Sequence, residues 1–400
     1  MKYIAFLLLP CLLFCGCQLS EYPPASSGTV ATQSPTDAAV LQPSSATSAP
    51  EMTESFAPET AATEPVFDPY MLVEDMTLEE LVGQIFLARC PELNAVQDIT
   101  NYHLGGFVLF GKDFEGETPD SVCTKLQQYQ QASQIPMLIA VDEEGGTVTR
   151  ISCYNQFRDS RFPSPRQLYT SGGFDLLLST EEEKCQLLRD LGINVNLAPV
   201  CDVTTDPSAF MYKRSLGQSA AVTGAFAAEI CHTMNAAQIG SVLKHFPGYG
   251  NNLDTHIGIA VDSRSLAELE HCDLIPFKAG IAAGCDGILV SHTIVECLDS
   301  SAPASLSANV IQYLRRNLGF EGVIITDDLI MEAITDQYGS EEAAVLAVLA
   351  GNDLLCSSEY ATQYEAILEA ARNERIARSQ LEESAARILQ WKHKLGLITE

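Results

Sequence analysis

The stretch "GVIITDD" (Gly322–Asp328) is a short apolar run that ends in two consecutive carboxylates. A run of this length, rich in β-branched residues and preceded by glycine, is typical of a strand that is buried on both faces. Such strands occur in parallel sheets whose faces are covered by helices. The two aspartates then mark the point at which the strand leaves the core.

Seven further runs of this kind occur along the chain. They are "FLARC" (Phe86–Cys90), "GGFVLF" (Gly105–Phe110), "PMLIAVDEE" (Pro136–Glu144), "INVNLAPVCD" (Ile193–Asp202), "SVLKHFP" (Ser241–Pro247), "GILVSHT" (Gly287–Thr293) and "DLLCSS" (Asp353–Ser358). Helix-like stretches such as "TPDSVCTKLQQYQQAS" (residues 118–133) separate most of them. Eight strands that alternate with helices predict a single (β/α)8 TIM barrel, an α/β fold. A doubly wound open sheet is the alternative, but no glycine-rich dinucleotide fingerprint follows the first strand.

Polar residues follow five of the eight predicted strands. In a parallel barrel the carboxyl ends of the strands share one rim, and active sites form at that rim. Residues that are far apart in sequence are therefore expected to converge there. The strand-end residues are Asp142 and Glu143, Asp202, Lys244 and His245, Ser291 and His292, and Asp327 and Asp328.

The first aspartate of the opening stretch is the main candidate for chemistry. Asp327 can point into the barrel mouth, where a carboxylate suits a nucleophile or a metal ligand, while Asp328 points elsewhere and caps the following segment. Metal-dependent barrel hydrolases usually carry paired histidines (HxH) at the first strand, and "FLARCPEL" (Phe86–Leu93) has none. We therefore expect no metal.

A second candidate group lies in the segment "LDTH" (residues 253–256). In an extended segment Asp254 and His256 face the same side, and a carboxylate beside an imidazole fixes its tautomer and raises its basicity. His256 is thus a candidate general acid/base. Lys244 and His245 are adjacent at a strand end, so both reach one ligand only if the strand twists or contains a bulge.

Five motifs, in this order, resemble those of glycoside hydrolase family 3 in its β-N-acetylglucosaminidase branch. They are "VDEEGGTVTR" (Val141–Arg150), "INVNLAPVCDV" (Ile193–Val203), "KRSLG" (Lys213–Gly217), "KHFPGYGNNLDTH" (Lys244–His256) and "ITDDLIM" (Ile325–Met331). The similarity extends from about Asp68 to the C-terminus. It implies a retaining exo-glycosidase that removes terminal β-GlcNAc from peptidoglycan fragments or other GlcNAc glycosides, with no metal and no cofactor.

The resemblance also implies a role for each matching residue. Asp327 is the expected nucleophile, and His256 paired with Asp254 is the expected acid/base, in place of the second carboxylate that most retaining glycosidases use. The residues expected to hold the sugar hydroxyls are Asp142, Arg150, Arg214, Lys244 and His245.

Two positions depart from the family pattern. Tyr249 stands where the family usually has a second histidine, so any role transferred to that position is in doubt. Glu143 stands where glutamine is frequent, and we expect it to add a carboxylate near the mouth and to raise the pKa of neighbouring acids.

The N-terminus predicts export. Residues 1–16 are typical of a lipoprotein signal peptide, with Lys2 at its positive end and Cys17 as the lipidated residue. Residues 17–66 are rich in Ser, Thr, Ala and Pro and predict a disordered tether. Residues 67–400 form the expected catalytic domain, the only one predicted, because the helical stretch "SQLEESAARILQWKHKLGL" (residues 379–397) runs to the end.

The charge of the chain limits its partners. A formal net charge of −29 makes nucleic-acid binding improbable. We expect an extracytoplasmic monomer whose only contact with the cell membrane is the lipid anchor. The alternatives are another family 3 exo-β-glycosidase, a β-GlcNAc phosphorylase, and a non-catalytic sugar-binding lipoprotein; Asp327, Asp254 and His256 argue against the last.

Overall fold

Short parallel strands form the inner layer of the structure, a computed structural model that describes residues 67–250 and 260–399. In chain order the strands are β1 (Phe86–Arg89), β2 (Gly106–Leu109), β3 (Leu138–Val141), β4 (Val195–Asn196), β5 (Gly240–Phe246), β6 (Val261–Asp262), β7 (Gly287–Val290), β8 (Ile294–Val295), β9 (Val323–Thr326) and β10 (Leu355–Ser357). The eight apolar runs of the sequence each overlap one strand of the main sheet. Strands β6 and β8 pair separately as a small parallel sheet.

The main sheet closes into a barrel. Its strands follow the order β10-β1-β2-β3-β4-β5-β7-β9, and each neighbouring pair is parallel. A parallel bridge between Ile325 and Leu354 joins the two ends, where Leu354 N donates to Ile324 O at 3.0 Å and Thr326 N donates to Leu354 O at 3.1 Å. The predicted (β/α)8 barrel is therefore confirmed, and the open doubly wound sheet is wrong.

Helices cover the outside of the barrel. They are α1 (Pro69–Val73), α2 (Leu78–Gln84), α3 (Ala95–Tyr102), α4 (Pro119–Ala132), α5 (Pro165–Leu191), α6 (Ala220–Ala236), α7 (Leu266–His271), α8 (Leu274–Ala282), α9 (Ala308–Gln312), α10 (Glu332–Tyr338), α11 (Ser340–Ala350), α12 (Tyr360–Arg372) and α13 (Arg378–Lys394).

Local sequence signals set where these helices begin and end. Helix α4 starts at a capping box in which Thr118 and Ser121 bond each other's backbone N–H, with Pro119 in the first turn. Helix α5 ends at Gly192, whose φ of 84° is the left-handed conformation that glycine adopts without strain. These signals set where the chain enters α4 and where it leaves α5 for the next strand.

The ten cysteines from Cys90 to Cys356 are free thiols, six of them buried. No helix within residues 67–250 and 260–399 is long and apolar enough to cross a bilayer. The expected signal peptide, Cys17 and the tether lie outside the described residues, and so do Asp254 and His256.

Candidate active site

A cavity of about 460 Å³ lies at the carboxyl ends of the barrel strands. This volume is in the range of sites that enclose a small ligand. Six sequence-predicted site residues line it together: Asp142, Arg150, Arg214, Lys244, His245 and Asp327. The rim predicted from the strand ends is thus present in the structure.

The floor of the cavity is a cluster of paired charges. Lys244 is 2% exposed, and its Nζ lies 2.6 Å from Asp142 Oδ1 and 2.6 Å from Glu144 Oε1. Arg214 donates to both carboxylate oxygens of the same Glu144, from Nη2 at 2.7 Å and from Nε at 3.0 Å. Charged hydrogen bonds of this kind are short and fix the geometry of both partners. The result is a rigid set of donors and acceptors that face the cavity.

Glu144 is the residue that sequence reasoning missed. Burial alone would raise the pKa of its carboxyl, but Arg214 and Lys244 outweigh burial and hold that pKa well below its usual range. The carboxylate is therefore ionised and cancels part of the positive charge beneath the cavity. A local signal was available, because the alternation of a strand puts residues 142 and 144 on one side and residue 143 on the other.

Glu143 does not line the cavity, so the expectation that it adds a carboxylate near the mouth is wrong. Its buried carboxylate accepts hydrogen bonds from Arg150 N and Ile151 N, each at 2.8 Å, and from Ser152 Oγ. The hydroxyl of Ser152 in turn accepts from Phe162 N at 3.1 Å. Glu143 therefore holds the backbone of the loop that carries Arg150.

His245 is fixed as a neutral imidazole by its two partners. Its Nδ1 lies 2.8 Å from Asp202 Oδ2, and its Nε2 lies 3.1 Å from Arg214 Nη2. Since a guanidinium can only donate, Nε2 accepts and the proton is on Nδ1, where it is donated to Asp202. Asp202 also accepts from His245 N at 3.2 Å and from Tyr249 N at 2.8 Å.

Tyr249 forms a wall of the cavity. The side chain is 1% exposed, and its ring meets the ring of His245 edge-on at 5.2 Å and the ring of Phe210 at 5.6 Å. Edge-to-face aromatic contacts of this kind restrict how a ring can turn. Tyr249 therefore holds His245 in place, which gives a structural reason for an aromatic residue at a position that sequence alone left unexplained.

Lys244 and His245 both line the cavity although they are consecutive. The pairing of β5 with β7 shifts register between Leu243 and Phe246, which breaks the strict alternation of the strand. The sequence left strand twist and a bulge as alternatives, and the register shift places an irregularity of the strand at these two residues.

Asp327 and Asp328 separate at the end of β9. Asp327 lines the cavity, and its Oδ1 accepts the backbone N–H of Asp328 at 2.9 Å. Asp328 instead accepts from Ile330 N at 3.2 Å and from Ser358 N at 3.1 Å, so it ties the end of β9 to the end of β10. Burial raises the pKa of Asp328, and the hydrogen bonds from Ser358 and Ile330 partly offset this.

The loop after β9 rests on a buried histidine. His292 Nε2 lies 3.0 Å from the carbonyl oxygen of Asp328, to which it can only donate, and its Nδ1 lies 2.7 Å from Ser305 Oγ. His292 therefore supports the backbone that presents Asp327.

Two further residues that the sequence did not single out line the same cavity. Arg89 ends β1, and its Cζ lies 4.3 Å from the ring centroid of Phe110, just after β2. The guanidinium of Arg150 lies 5.3 Å from the same ring. Both contacts are within cation–π distance.

The arrangement suits a neutral polyhydroxylated ligand placed beside one carboxylate. Asp142 offers acceptors, and Lys244 and Arg214 offer donors whose charges are already balanced. No group of three or more His, Cys, Asp or Glu side chains in the described part of the chain has the arrangement of a metal site.

Comparison with known proteins agrees with this geometry. Residues 77–391 match the family model described as the glycosyl hydrolase family 3 N terminal domain. The chain is 31% identical over 305 residues to the beta-hexosaminidase LpqI of Mycobacterium tuberculosis, covering 74% of this chain and 77% of that protein. It is 35% identical over 269 residues to a beta-hexosaminidase of Stenotrophomonas maltophilia, covering 64% of this chain and 77% of that protein.

Solved structures show the same likeness. The glycoside hydrolase family 3 beta-N-acetylglucosaminidase from Paenibacillus sp. str. FPU-7 superimposes with a TM-score of 0.75 at 31% identity, over 81% of this chain and 64% of that chain. The structure of M. tuberculosis LpqI gives a TM-score of 0.73 at 27% identity, over 82% of this chain and 96% of that chain. With its family model matched over most of its length, the chain belongs to glycosyl hydrolase family 3.

Proposed function

We propose that this protein is a retaining exo-β-N-acetylglucosaminidase that hydrolyses terminal β-GlcNAc. The observation that carries the proposal is the single cavity in which Asp327 lies beside the charge-balanced cluster of Asp142, Lys244 and Arg214. The names of the relatives, beta-hexosaminidase and beta-N-acetylglucosaminidase, support it.

In the proposed reaction Asp327 attacks the anomeric carbon and forms a covalent glycosyl ester. The leaving oxygen takes a proton from His256, which Asp254 orients. His256 then removes a proton from water, and the water displaces Asp327 so that the sugar leaves with retained configuration.

The environment of His245 supports placing the acid elsewhere. The Nδ1–H of His245 is donated to Asp202 and its Nε2 accepts from Arg214, so neither nitrogen is available to give a proton to a leaving group. Tyr249 lines the cavity, and Asp254 and His256 follow it closely in sequence. The proposed acid therefore belongs to the segment that follows Tyr249 in the chain.

The charge-balanced cluster is proposed to recognise the hydroxyls of the sugar. Binding a neutral sugar with unbalanced buried charges would be costly, because the ligand cannot neutralise them. Here Lys244 and Arg214 are balanced by Asp142 and Glu144, so the two cations can still donate, and Asp142 can still accept, a hydrogen bond at little electrostatic cost.

We further propose that the enzyme acts outside the cytoplasm as a monomer. Cys17 would carry the lipid, residues 17–66 would form the tether, and peptidoglycan fragments would be the natural source of terminal β-GlcNAc. The signal-like N-terminus supports this placement.

The test is release of chromophore from aryl β-GlcNAc, aryl β-glucoside and aryl β-xyloside by the wild type, Asp327→Asn and Asp336→Asn. Asp336 is an exposed carboxylate of α10 and serves as the matched control. We expect turnover of the GlcNAc compound, a loss of about 10³-fold or more in Asp327→Asn, and no change in Asp336→Asn. Turnover of only the glucoside or xyloside would overturn the substrate, and full activity in Asp327→Asn would overturn the nucleophile.

A further inference from the structure

We propose that a second cavity, built around Arg161, Arg166 and Lys213, binds a small ligand that carries two or more carboxylate or phosphate groups. This cavity has a volume of about 730 Å³ and shares no lining residue with the catalytic cavity. We call it the basic cavity. The inference goes beyond the proposed function and does not depend on it, because it concerns binding outside the catalytic cavity.

The charge of the basic cavity is opposite to that of the chain. Its walls come from the loop after β3, from the segment that leads into α5 and the first turns of that helix, and from the short 3-10 helix Phe210–Lys213. Among the described residues that line it there are three cations and no aspartate or glutamate. The chain has 52 acidic and 23 basic residues, so a cavity lined by positive charge alone departs from its composition.

The cations of the basic cavity are not balanced by carboxylates. Arg161 and Lys213 are exposed, and within residues 67–250 and 260–399 neither side chain takes part in an ion pair or a hydrogen bond. Arg158, on the same segment as Arg161, is instead paired with Glu183 at 2.8 Å. Carboxylates are therefore present in this region, but they bind a neighbouring cation and leave those of the cavity open to a ligand.

Arg166 is held in place by contacts that leave part of its guanidinium unused. Its Nη2 donates to Thr204 O and to Ser215 Oγ, each at 3.1 Å, and its Cζ lies 3.7 Å from the centroid of the Tyr212 ring. Its Nε is buried and has no hydrogen-bond partner in the described part of the chain. A Cβ at Gly217, whose φ is 76°, would lie 2.2 Å from this Cζ, so only glycine leaves room for the guanidinium. A fixed guanidinium with N–H groups left over is a donor set that an oxyanion can complete.

The three cations together indicate the charge of the ligand. One oxyanion can satisfy Arg166, and two more cations on the same cavity favour a ligand with a second negative group. The basic cavity is also larger than the catalytic cavity of about 460 Å³, so it has room for an organic anion. Arginine binds carboxylate and phosphate in the same two-point geometry, so the chemistry that both share is a multiply charged oxyanion.

The basic cavity and the catalytic cavity are lined by consecutive residues of two loops. Thr147 and Lys213 line the basic cavity, and the residues that follow them, Val148 and Arg214, line the catalytic cavity. A change in turnover would therefore not tell the two cavities apart. The test must measure binding of the anion itself.

The experiment measures the affinities of citrate, pyrophosphate and acetate by calorimetry with the wild type and three variants. Arg166→Gln removes the fixed guanidinium, and the double variant Arg161→Gln/Lys213→Gln removes two exposed cations without touching a buried contact. The double variant Arg316→Gln/Lys278→Gln is the matched control, because both of its cations are exposed and neither lines the basic cavity. Thermal unfolding without ligand identifies any loss of fold, which is the main risk in Arg166→Gln.

We expect the wild type to bind citrate or pyrophosphate with a Kd of about 1 mM or less and acetate at least about tenfold more weakly. Arg161→Gln/Lys213→Gln should weaken the tighter ligand about tenfold or more, the control double variant should change it by less than about twofold, and added salt should weaken it in the wild type. A preference for citrate would identify a carboxylate ligand and a preference for pyrophosphate a phosphate ligand, and either supports the site. Acetate bound as tightly as both, no binding up to about 10 mM, or an equal loss in the control would overturn it.

One further variant separates the basic cavity from the catalytic cavity. Arg89 lines the catalytic cavity and not the basic cavity, so Arg89→Gln should leave the affinity of the anion unchanged. A loss of affinity in Arg89→Gln that is absent in Arg161→Gln/Lys213→Gln would place the anion in the catalytic cavity and overturn the inference. None of these measurements needs turnover, so the result stands whether or not the protein hydrolyses β-GlcNAc.

Discussion

Replacing Lys392 by methionine should change how stability depends on pH. Lys392 lies in α13 and is fully buried, and its Nζ donates to Gln84 Oε1 at 2.8 Å. This contact supplies a hydrogen bond but no opposite charge. Burial lowers the pKa of Lys392 to about 7. The folded protein therefore binds this proton much less tightly than the unfolded chain, in which lysine has a pKa of about 10.4.

The sign and size of the effect follow from proton linkage. Between the two pKa values the unfolded chain binds more protons than the folded protein, so the stability of the wild type rises with pH. Each unit of pKa difference corresponds to about 1.4 kcal/mol, which makes the cost of burying Lys392 about 4 kcal/mol at pH 7 and about 2 kcal/mol at pH 9. Methionine has a similar length and no charge, but it leaves Gln84 Oε1 without its partner, which costs about 1–3 kcal/mol.

Urea unfolding of the wild type and Lys392→Met at pH 7 and pH 9 tests this. The free energy of unfolding of the variant, relative to the wild type, should fall by about 2 kcal/mol between pH 7 and pH 9. The loss at Gln84 is the same at both pH values and cancels from this difference. Lys278→Met, a change at an exposed lysine of α8, is the control and should show no such dependence. A difference between the wild type and Lys392→Met that does not change with pH would refute the reasoning.

Three further predictions concern the site. His256→Ala should slow the hydrolysis of glycosides with poor leaving groups far more than that of activated aryl glycosides, because only the former need protonation. Steady-state kinetics across a series of leaving groups measures this difference. An equal loss of rate throughout the series would refute an acid role for His256. Glu144→Gln should lower the free energy of unfolding by about 3 kcal/mol and raise KM, because Lys244 and Arg214 then lack a buried anion. Urea unfolding measures the first effect, and an unchanged urea midpoint would refute a stabilising role of the Glu144 carboxylate. Prolonged dialysis against a chelator should leave kcat/KM unchanged, and activity that is lost and then restored by a divalent metal would contradict the metal-free reaction.

The barrel and its rim could be predicted because both depend on short-range features of the sequence. A buried parallel strand needs an apolar run, and the run must end where the chain reaches solvent, so "GVIITDD" reports both the strand and the position of Asp327. The orientation of Glu144 could also be predicted from the two-residue period of a strand. The role of Glu143 was not, because its partners Arg150 and Ile151 come from a loop whose path no local pattern describes.

Contacts through space account for what the sequence left out. Arg89 and Phe110 are separated by 20 residues and meet only because β1 and β2 are neighbours in the barrel. In the sequence each looks like an ordinary residue at a strand end. The position of Asp202 at the rim could be predicted from the sequence. Its role in fixing the tautomer of His245 could not, because Arg214, which contacts the other ring nitrogen, comes from a different loop.

The balance of charge in the cavity connects its structure to the proposed reaction. Lys244 and Arg214 are balanced by carboxylates, and balanced cations can bind a neutral hydroxyl without leaving a net buried charge. Glu144 contacts both cations, so the carboxylate that holds them in place also fixes the donors that are offered to the sugar. If Glu144→Gln lowers the free energy of unfolding and raises KM together, the fold and the sugar-binding donors depend on one buried anion.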